Sequence, residues 1–174
     1  MKKKGSMIWL FIAIIWAAVI FLFSSRTGVE SHETSTSLAA FLSRLLVPDF
    51  ASWGPSSQTQ WISDIDNLLR KMAHFFEFGV LGVLTYLTVL NLSRGVRRRK
   101  PASKFGLGMI SFYICAVISA LDEVFQIFSS GRTSSPKDIL IDCAGIALGI
   151  IICAYKTKLP GNESRQGPAV RRRG

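Results

Sequence analysis

The chain has 174 residues, 49% of them hydrophobic, and a formal net charge of +10 from 21 basic and 11 acidic residues. That length suits one domain and not two of ordinary size. The apolar residues stand in blocks instead of recurring periodically, which excludes an ordinary soluble basic protein and points to a membrane.

In chain order, the first block covers 7–24, close to the ~20 residues a helix needs to cross hydrocarbon. Lys2, Lys3 and Lys4 precede it, as in a secretory signal. Its apolar run of about 16 residues exceeds the usual ~7–15, and FLFSSR carries no small-residue cleavage pattern, so an uncleaved anchor is expected. A segment of 25–71 follows. Its start, 27–36, is polar and reads as a loop. Leu38, Phe41, Leu42, Leu45 and Leu46 then recur at helical spacing until Pro48. This predicts an amphipathic helix over 37–47, placed equally well in the outer membrane interface or against the bundle. Gly54-Pro55 breaks the chain again, and Ser57 with Gln60 resembles a capping box. From there Trp61, Ile62, Ile65, Leu68, Leu69 and Met72 keep helical spacing, with Asp64, Asp66, Asn67, Arg70 and Lys71 on the other face. This helix is expected to run directly into the second span, 72–92.

The third span covers 106–128 and the fourth 138–155. The predicted fold is therefore an all-α integral membrane protein: a four-transmembrane-helix bundle with an outer amphipathic helix segment between helices 1 and 2. Residues 1–157 form the transmembrane domain, and 158–174 form a basic tail whose composition predicts disorder. Fifteen of the 21 basic residues fall before the first span, between the second and third, or after the fourth. The positive-inside rule then puts both termini and the RGVRRRK loop in the cytoplasm of a bacterial plasma membrane. Beside such spans, RGVRRRK and the C-terminal RRR are read as topology signals that attract anionic lipid, and no nucleic-acid partner is expected. Cys115, Cys143 and Cys153 lie within spans, without ligand spacing, as packing residues.

Polar residues inside the spans carry the functional signal, because an ionisable group at membrane depth costs roughly 2.5–3.5 kcal/mol on insertion scales. At ~1.5 Å per residue, His74 and Glu77 lie roughly 3 and 8 Å inside the second span. By the same rise, Asp122, Glu123 and Gln126 lie roughly 9, 8 and 3 Å from the outer end of the third, and Asp142 about 6 Å into the fourth. All fall at similar depth in the outer leaflet half. His74 and Glu77 (i, i+3), Asp122 and Gln126 (i, i+4), and Asp138 and Asp142 (i, i+4) share helix faces. Arg26, Arg70, Lys71, Arg132 and Lys137 stand near Glu77, Asp122, Glu123, Asp138 and Asp142. Five bases against five acids could form a self-satisfied ion-pair lock. A buried pair is weak evidence for stability, which leaves a functional role open.

The stretch RKMAHFFEFG at 70–79 resembles the RK-x-x-H-x-x-E-Y-x motif of VanZ-like membrane proteins. DEVFQIFSSGR at 122–132, followed by Asp138, Asp142 and Gly145, resembles that family's DE-x-x-Q…GR…D-x-x-x-N-x-x-G block. FSSR at 23–26 also fits, and the resemblance runs from about 7 to 155. Phe78 stands where the family usually has Tyr, and Asp142 where Asn is usual. The family's namesake is linked to resistance to teicoplanin-type glycopeptides, which bind cell-wall precursors. The resemblance thus implies a bacterial envelope protein without specifying a reaction.

Three readings follow. In the first, Arg26, Lys71, His74, Glu77, Asp122, Glu123, Gln126, Arg132, Asp138 and Asp142 bind a lipid headgroup, a lipid-linked cell-wall precursor or a lipoglycopeptide. Arg132, Lys71 and Arg26 would hold phosphate or carboxylate, the arginines by bidentate contact. In the second, a membrane-embedded hydrolase or transferase uses His74 as base, oriented by Glu77 or Asp122, with water or Ser24, Ser25, Ser119 or Ser129 as nucleophile. Glu123 completes the candidate catalytic set. The third is a divalent-metal site among His74, Glu77, Asp122, Glu123 or Asp142. Neighbouring Lys and Arg oppose it, so no metal and no cofactor is assigned. Gly145-x-x-x-Gly149 predicts close helix packing, within the bundle or between copies. The sequence leaves the oligomeric state open.

Overall fold

The computed structural model describes residues 2–25, 28–95, 103–128 and 136–157. They form α1 (Lys2–Ser24), α2 (Gly28–Leu46), a short 3-10 turn (Phe50–Ser52), α3 (Pro55–Gly95), α4 (Lys104–Ile127) and α5 (Pro136–Lys156). The four-span, all-helical architecture expected from the sequence is present, with candidate spans in α1, α3, α4 and α5. The basic loop at 96–102 and the tail at 158–174 lie outside the described residues, as do Arg26, Ser129 and Arg132.

α3 organises the fold, since it touches α1, α2, α4 and α5. Its 41 residues would extend about 60 Å at ~1.5 Å per residue, twice the ~30 Å of hydrocarbon in a bilayer. About half of α3 therefore stands beyond one span's length, and α2 folds back along that half. The expected continuity of the 61–72 helix with the second span is observed. The helix begins two residues before the expected Ser57 cap, because Gly54-Pro55 starts it instead of breaking it. Proline suits the first helical position, where its missing N–H has no partner to lose.

The elbow between α2 and α3 is built by Asp49, Phe50, Trp53 and Gln58. Asp49 takes a left-handed conformation (φ 55°), one that short acidic side chains tolerate. The Gln58 amide donates to the carbonyls of Phe50 (3.1 Å) and Trp53 (2.9 Å). Trp53 stacks edge-on against Trp61 and tilts against Phe50. Gln58→Ala is expected to free this elbow while leaving the spans intact. The measurement is limited proteolysis: faster cleavage near 47–54 with unchanged detergent melting supports the account, and unchanged cleavage refutes it.

Two expectations about this region change. Residues 28–36 are helical, not loop, and at the end of that stretch Ser37 Oγ donates to the Glu33 carbonyl at 2.8 Å. The stripe of α2, expected either in the membrane interface or against the bundle, faces away from the bundle. Ala39 and Ser43 are buried, while Leu38, Phe41, Leu45 and Leu46 are exposed. Small side chains on one face let α2 approach α3 closely, which turns the leucines outward. Asp66, assigned above to an outer polar face, is buried and pairs with Arg70 at 3.6 Å.

Within the spans the core is Ile20, Phe78, Leu81, Tyr86, Leu90, Leu107, Cys115, Ile146, Ile150 and Cys153. Large apolar residues also cover the outside, among them Phe11, Leu22, Val117, Leu121 and Ile151. Helices apolar on every side suit hydrocarbon surroundings. All three cysteines are free thiols. The α3–α5 seam is the tightest contact. A Cβ on Gly145 would strike the Phe75 carbonyl, one on Gly149 the Gly79 carbonyl, and one on Gly82 would lie 2.8 Å from the Ile146 oxygen. The predicted close packing at Gly145 and Gly149 thus occurs inside one chain.

Candidate functional site

Four helices bring polar groups together at the end where α1 and α4 finish and α5 begins. Asp122 on α4 is fully buried. Its Oδ2 accepts from Ser24 Oγ of α1 and from Gln126 Nε2 one turn further along α4, both at 2.9 Å. The Asp122–Gln126 spacing read from the sequence is therefore a formed hydrogen bond. Phe21 and Phe125 meet edge-on beside it, with ring centroids 5.9 Å apart.

One helical turn deeper, Ser119 Oγ donates to Asp142 Oδ2 of α5 at 2.7 Å. The other oxygen of Asp142 lies 3.6 Å from His74 Nδ1 of α3, within ion-pair reach when the imidazole is protonated. His74 is held nearly parallel to Phe78, at an interplanar angle of 8° and a centroid separation of 6.4 Å. Phe78 is itself fully buried. Next along α3, Trp16 Nε1 of α1 donates to the Glu77 carbonyl at 2.9 Å, which fixes the depth of α1 against α3.

Glu123 and Gln126 are buried with Asp122. The fields of Asp122, Glu123 and Asp138 all fall on Asp142. Glu77 and Asp138 are half-buried, one turn from His74 and Asp142 respectively. Asp122 Oδ1 and Asp142 Oδ1 are buried acceptors that no hydrogen bond satisfies. An unsatisfied buried polar group typically costs about 1–3 kcal/mol, and more when charged.

Some expected members stand apart. Lys71 is exposed on α3. Arg70 points to Asp66 and to Asn67 Oδ1, the latter at 2.6 Å. Neither supplies the five-against-five pairing anticipated from charge counting, because that count left out Asp66, a partner one turn from Arg70. Arg26 and Arg132 lie outside the described residues, so their expected phosphate or carboxylate contacts do too.

The nucleophile candidates are also redistributed. Ser24 and Ser119 donate hydrogen bonds to aspartate oxygens, and Ser25 Oγ donates to the Leu22 carbonyl. Asp142 sits between Ser119 and His74, so this trio does not have the order in which an imidazole activates a serine. Among the described residues no three His, Cys, Asp or Glu side chains form a metal-holding group.

The contribution of Trp16 was not read from the sequence, since an indole within an apolar run carries no polar signature. Ser24 and Ser119, nucleophile candidates from the sequence, each donate a hydrogen bond to an aspartate of the cluster. Ser119 lies one turn before Asp122, a spacing that could have suggested membership in the cluster.

Inward from this site three buried hydroxyls turn back on their own helices. Thr88 bonds the Leu84 carbonyl, Ser93 that of Leu90, and Ser111 that of Leu107. The cluster thus rests on an apolar floor of Ile20, Leu81, Cys115 and Ile146.

Residues 9–157 match the family model described as VanZ/LLP1. No curated protein and no solved structure gives a match.

Proposed function

The chain belongs to the VanZ/LLP1 family, and from that premise we propose that it is a bacterial plasma-membrane protein that alters glycopeptide or lipoglycopeptide susceptibility by binding a lipid-linked or headgroup ligand at an outer-leaflet polar site. Both termini lie in the cytoplasm in this reading, as the distribution of basic residues favours. One observation carries it: Ser24, His74, Ser119, Asp122, Gln126 and Asp142 converge from four apolar helices at one end of the bundle. Holding so many polar groups at membrane depth is costly, and a ligand that meets them offsets the cost. The apolar floor beneath the cluster favours a blind binding site over a transmembrane path.

The test compares His74→Ala and Asp122→Asn with the wild-type chain in cells challenged with teicoplanin. Both variants, at wild-type membrane abundance, are expected to lose the susceptibility change that the wild-type chain confers. If abundance falls while the effect per molecule stays constant, the cluster is a structural lock and the proposal fails. A hydrolase or transferase is the second reading, favoured by one feature, the hydrogen bond from Ser24 to Asp122. Turnover of a lipid extract by purified protein would establish it, and absence of product would remove it.

A further inference from the structure

The two buried carboxyl groups at the heart of the site are satisfied on one oxygen each. Asp122 Oδ2 takes Ser24 and Gln126, and Asp142 Oδ2 takes Ser119. Asp122 Oδ1 and Asp142 Oδ1 remain without a hydrogen-bond donor, on residues only 0% and 1% exposed. They belong to adjacent packed helices, and the field of Asp122 reaches Asp142. Asp142 Oδ1 has the His74 imidazole at 3.6 Å, an ion pair when that ring is protonated but beyond hydrogen-bond distance, so what both atoms lack is a hydrogen-bonded N–H or O–H. A phosphate or carboxylate offers them only like charge.

We propose that Asp122 Oδ1 and Asp142 Oδ1 receive the N–H groups of a primary ammonium carried by an amphiphile of the outer leaflet. This rests on the headgroup-site reading above and narrows its ligand class.

Four considerations select the ammonium. An ammonium is a compact cation with three N–H donors, enough for both orphan oxygens. A metal ion needs a fuller shell, and no three suitable side chains converge among the described residues. A quaternary ammonium has charge but no N–H to give. The surrounding field is acidic: besides Asp122, the carboxylates of Glu123 and Asp138 act on Asp142.

The amphiphile is selected by the walls. α1 and α4 flank Asp122 through Ser24 and the Phe21–Phe125 contact. Their outer faces present Leu22, Phe23, Leu121, Val124 and Phe125, each about half exposed or more. Acyl chains lying on these residues bring a headgroup to the seam between α1 and α4. Parting of Ser24 from Asp122 there opens the way to the carboxyl oxygens. The acid at 142 matters here, since an amide would bring donors of its own where this chain has only acceptors.

The full chain in nanodiscs is titrated, by fluorescence or thermal shift, with phosphatidylethanolamine, phosphatidylcholine, N-acetylated phosphatidylethanolamine and phosphatidylglycerol of identical acyl chains. Phosphatidylethanolamine is expected to bind about tenfold or more tightly than the others, the scale of one charge-assisted hydrogen bond. Asp142→Asn is expected to erase that preference while keeping the monodisperse folded chain. Equal binding of phosphatidylethanolamine and its N-acetyl form overturns the ammonium assignment, and this wild-type comparison decides even if the variant does not fold. Tightest binding of phosphatidylglycerol overturns it in favour of an anion site and leaves the headgroup reading standing. An equal response to free phosphoethanolamine removes the requirement for an amphiphile. Binding of no lipid at all defeats the headgroup reading itself.

Discussion

Gly145→Ala is expected to lower the detergent melting temperature of the purified chain and its folded yield, whereas Gly108→Ala is expected to leave both unchanged or improved. Both residues are helical, so alanine offers the same gain of up to ~1 kcal/mol in helix propensity. The surroundings decide the sign. A Cβ on Gly145 meets backbone: the Phe75 carbonyl oxygen, with its carbon at 3.0 Å and Cα at 3.2 Å. Backbone cannot rotate away, so α3 and α5 must separate along the seam. Overpacking typically costs about 1–3 kcal/mol and more when nothing yields, which exceeds the propensity gain. A Cβ on Gly108 meets only the Ile150 Cγ2 methyl at 3.4 Å, an ordinary contact with a side chain that can adjust. Gly149→Ala, against the Gly79 carbonyl, follows Gly145. Because Gly79 and Phe75 flank His74 and Phe78 on α3, separation of this seam also pulls His74 from Asp142. Wild-type melting of Gly145→Ala would show that the seam is not held by backbone contact.

Ser119→Ala is the second large effect. It removes the one hydrogen bond that Asp142 accepts, at 2.7 Å, and leaves both oxygens of a buried carboxyl without a donor. The expected cost is about 1–3 kcal/mol, and more if the group is ionised. Asp142→Asn is expected to be mild alone, because the amide oxygen still accepts from Ser119. In the Asp142→Asn background Ser119→Ala is expected to cost less, since a neutral amide is cheaper to leave unsatisfied than a carboxylate. The coupling between them should fall within the roughly 0.5–3 kcal/mol found for residues in contact. Four melting curves, or four urea titrations in mild detergent, measure it. Strict additivity would mean that Ser119 bonds the amide as strongly as the carboxyl, so that the difference between the two groups adds nothing to this hydrogen bond.

Much of the fold was readable along the chain. Block hydrophobicity located the spans because crossing hydrocarbon demands about twenty apolar residues in succession. The uninterrupted helix from the outer segment into the second span followed from sustained periodicity over Trp61–Met72. The pairs that lie on one helix were also legible: Asp122 with Gln126 by spacing, and His74 with the face it shares with Phe78. Counting residues inward from the span ends brought His74, Asp122, Gln126 and Asp142 to one level.

Readings that required one helix to be oriented against another were less secure. The leucine stripe of α2 fitted the membrane interface and the bundle equally, and only the fold turned it outward, with Ala39 and Ser43 buried, because the close approach of two helices selects small side chains. Asp66 was placed on the polar face opposite the apolar spacing, and the fold buries it beside Arg70. The sharing of carboxylates followed the same rule. Ser24 and Asp122 are 98 positions apart, and Ser119 and Asp142 are 23 apart.

By itself, then, the amino-acid sequence determined how many helices there are, where the membrane-crossing stretches run, and which end of the bundle collects the polar residues, since each depends on periodicity or composition within one segment. Only the tertiary structure decided which serine serves which aspartate, that Trp16 ties α1 to the Glu77 carbonyl, and that two carboxyl oxygens are left without a donor. Those outcomes depend on helix rotation and separation. The Gly145–Gly149 seam against Phe75 and Gly79 fixes the distance between α3 and α5, and no local pattern in the chain encodes the rotation that follows.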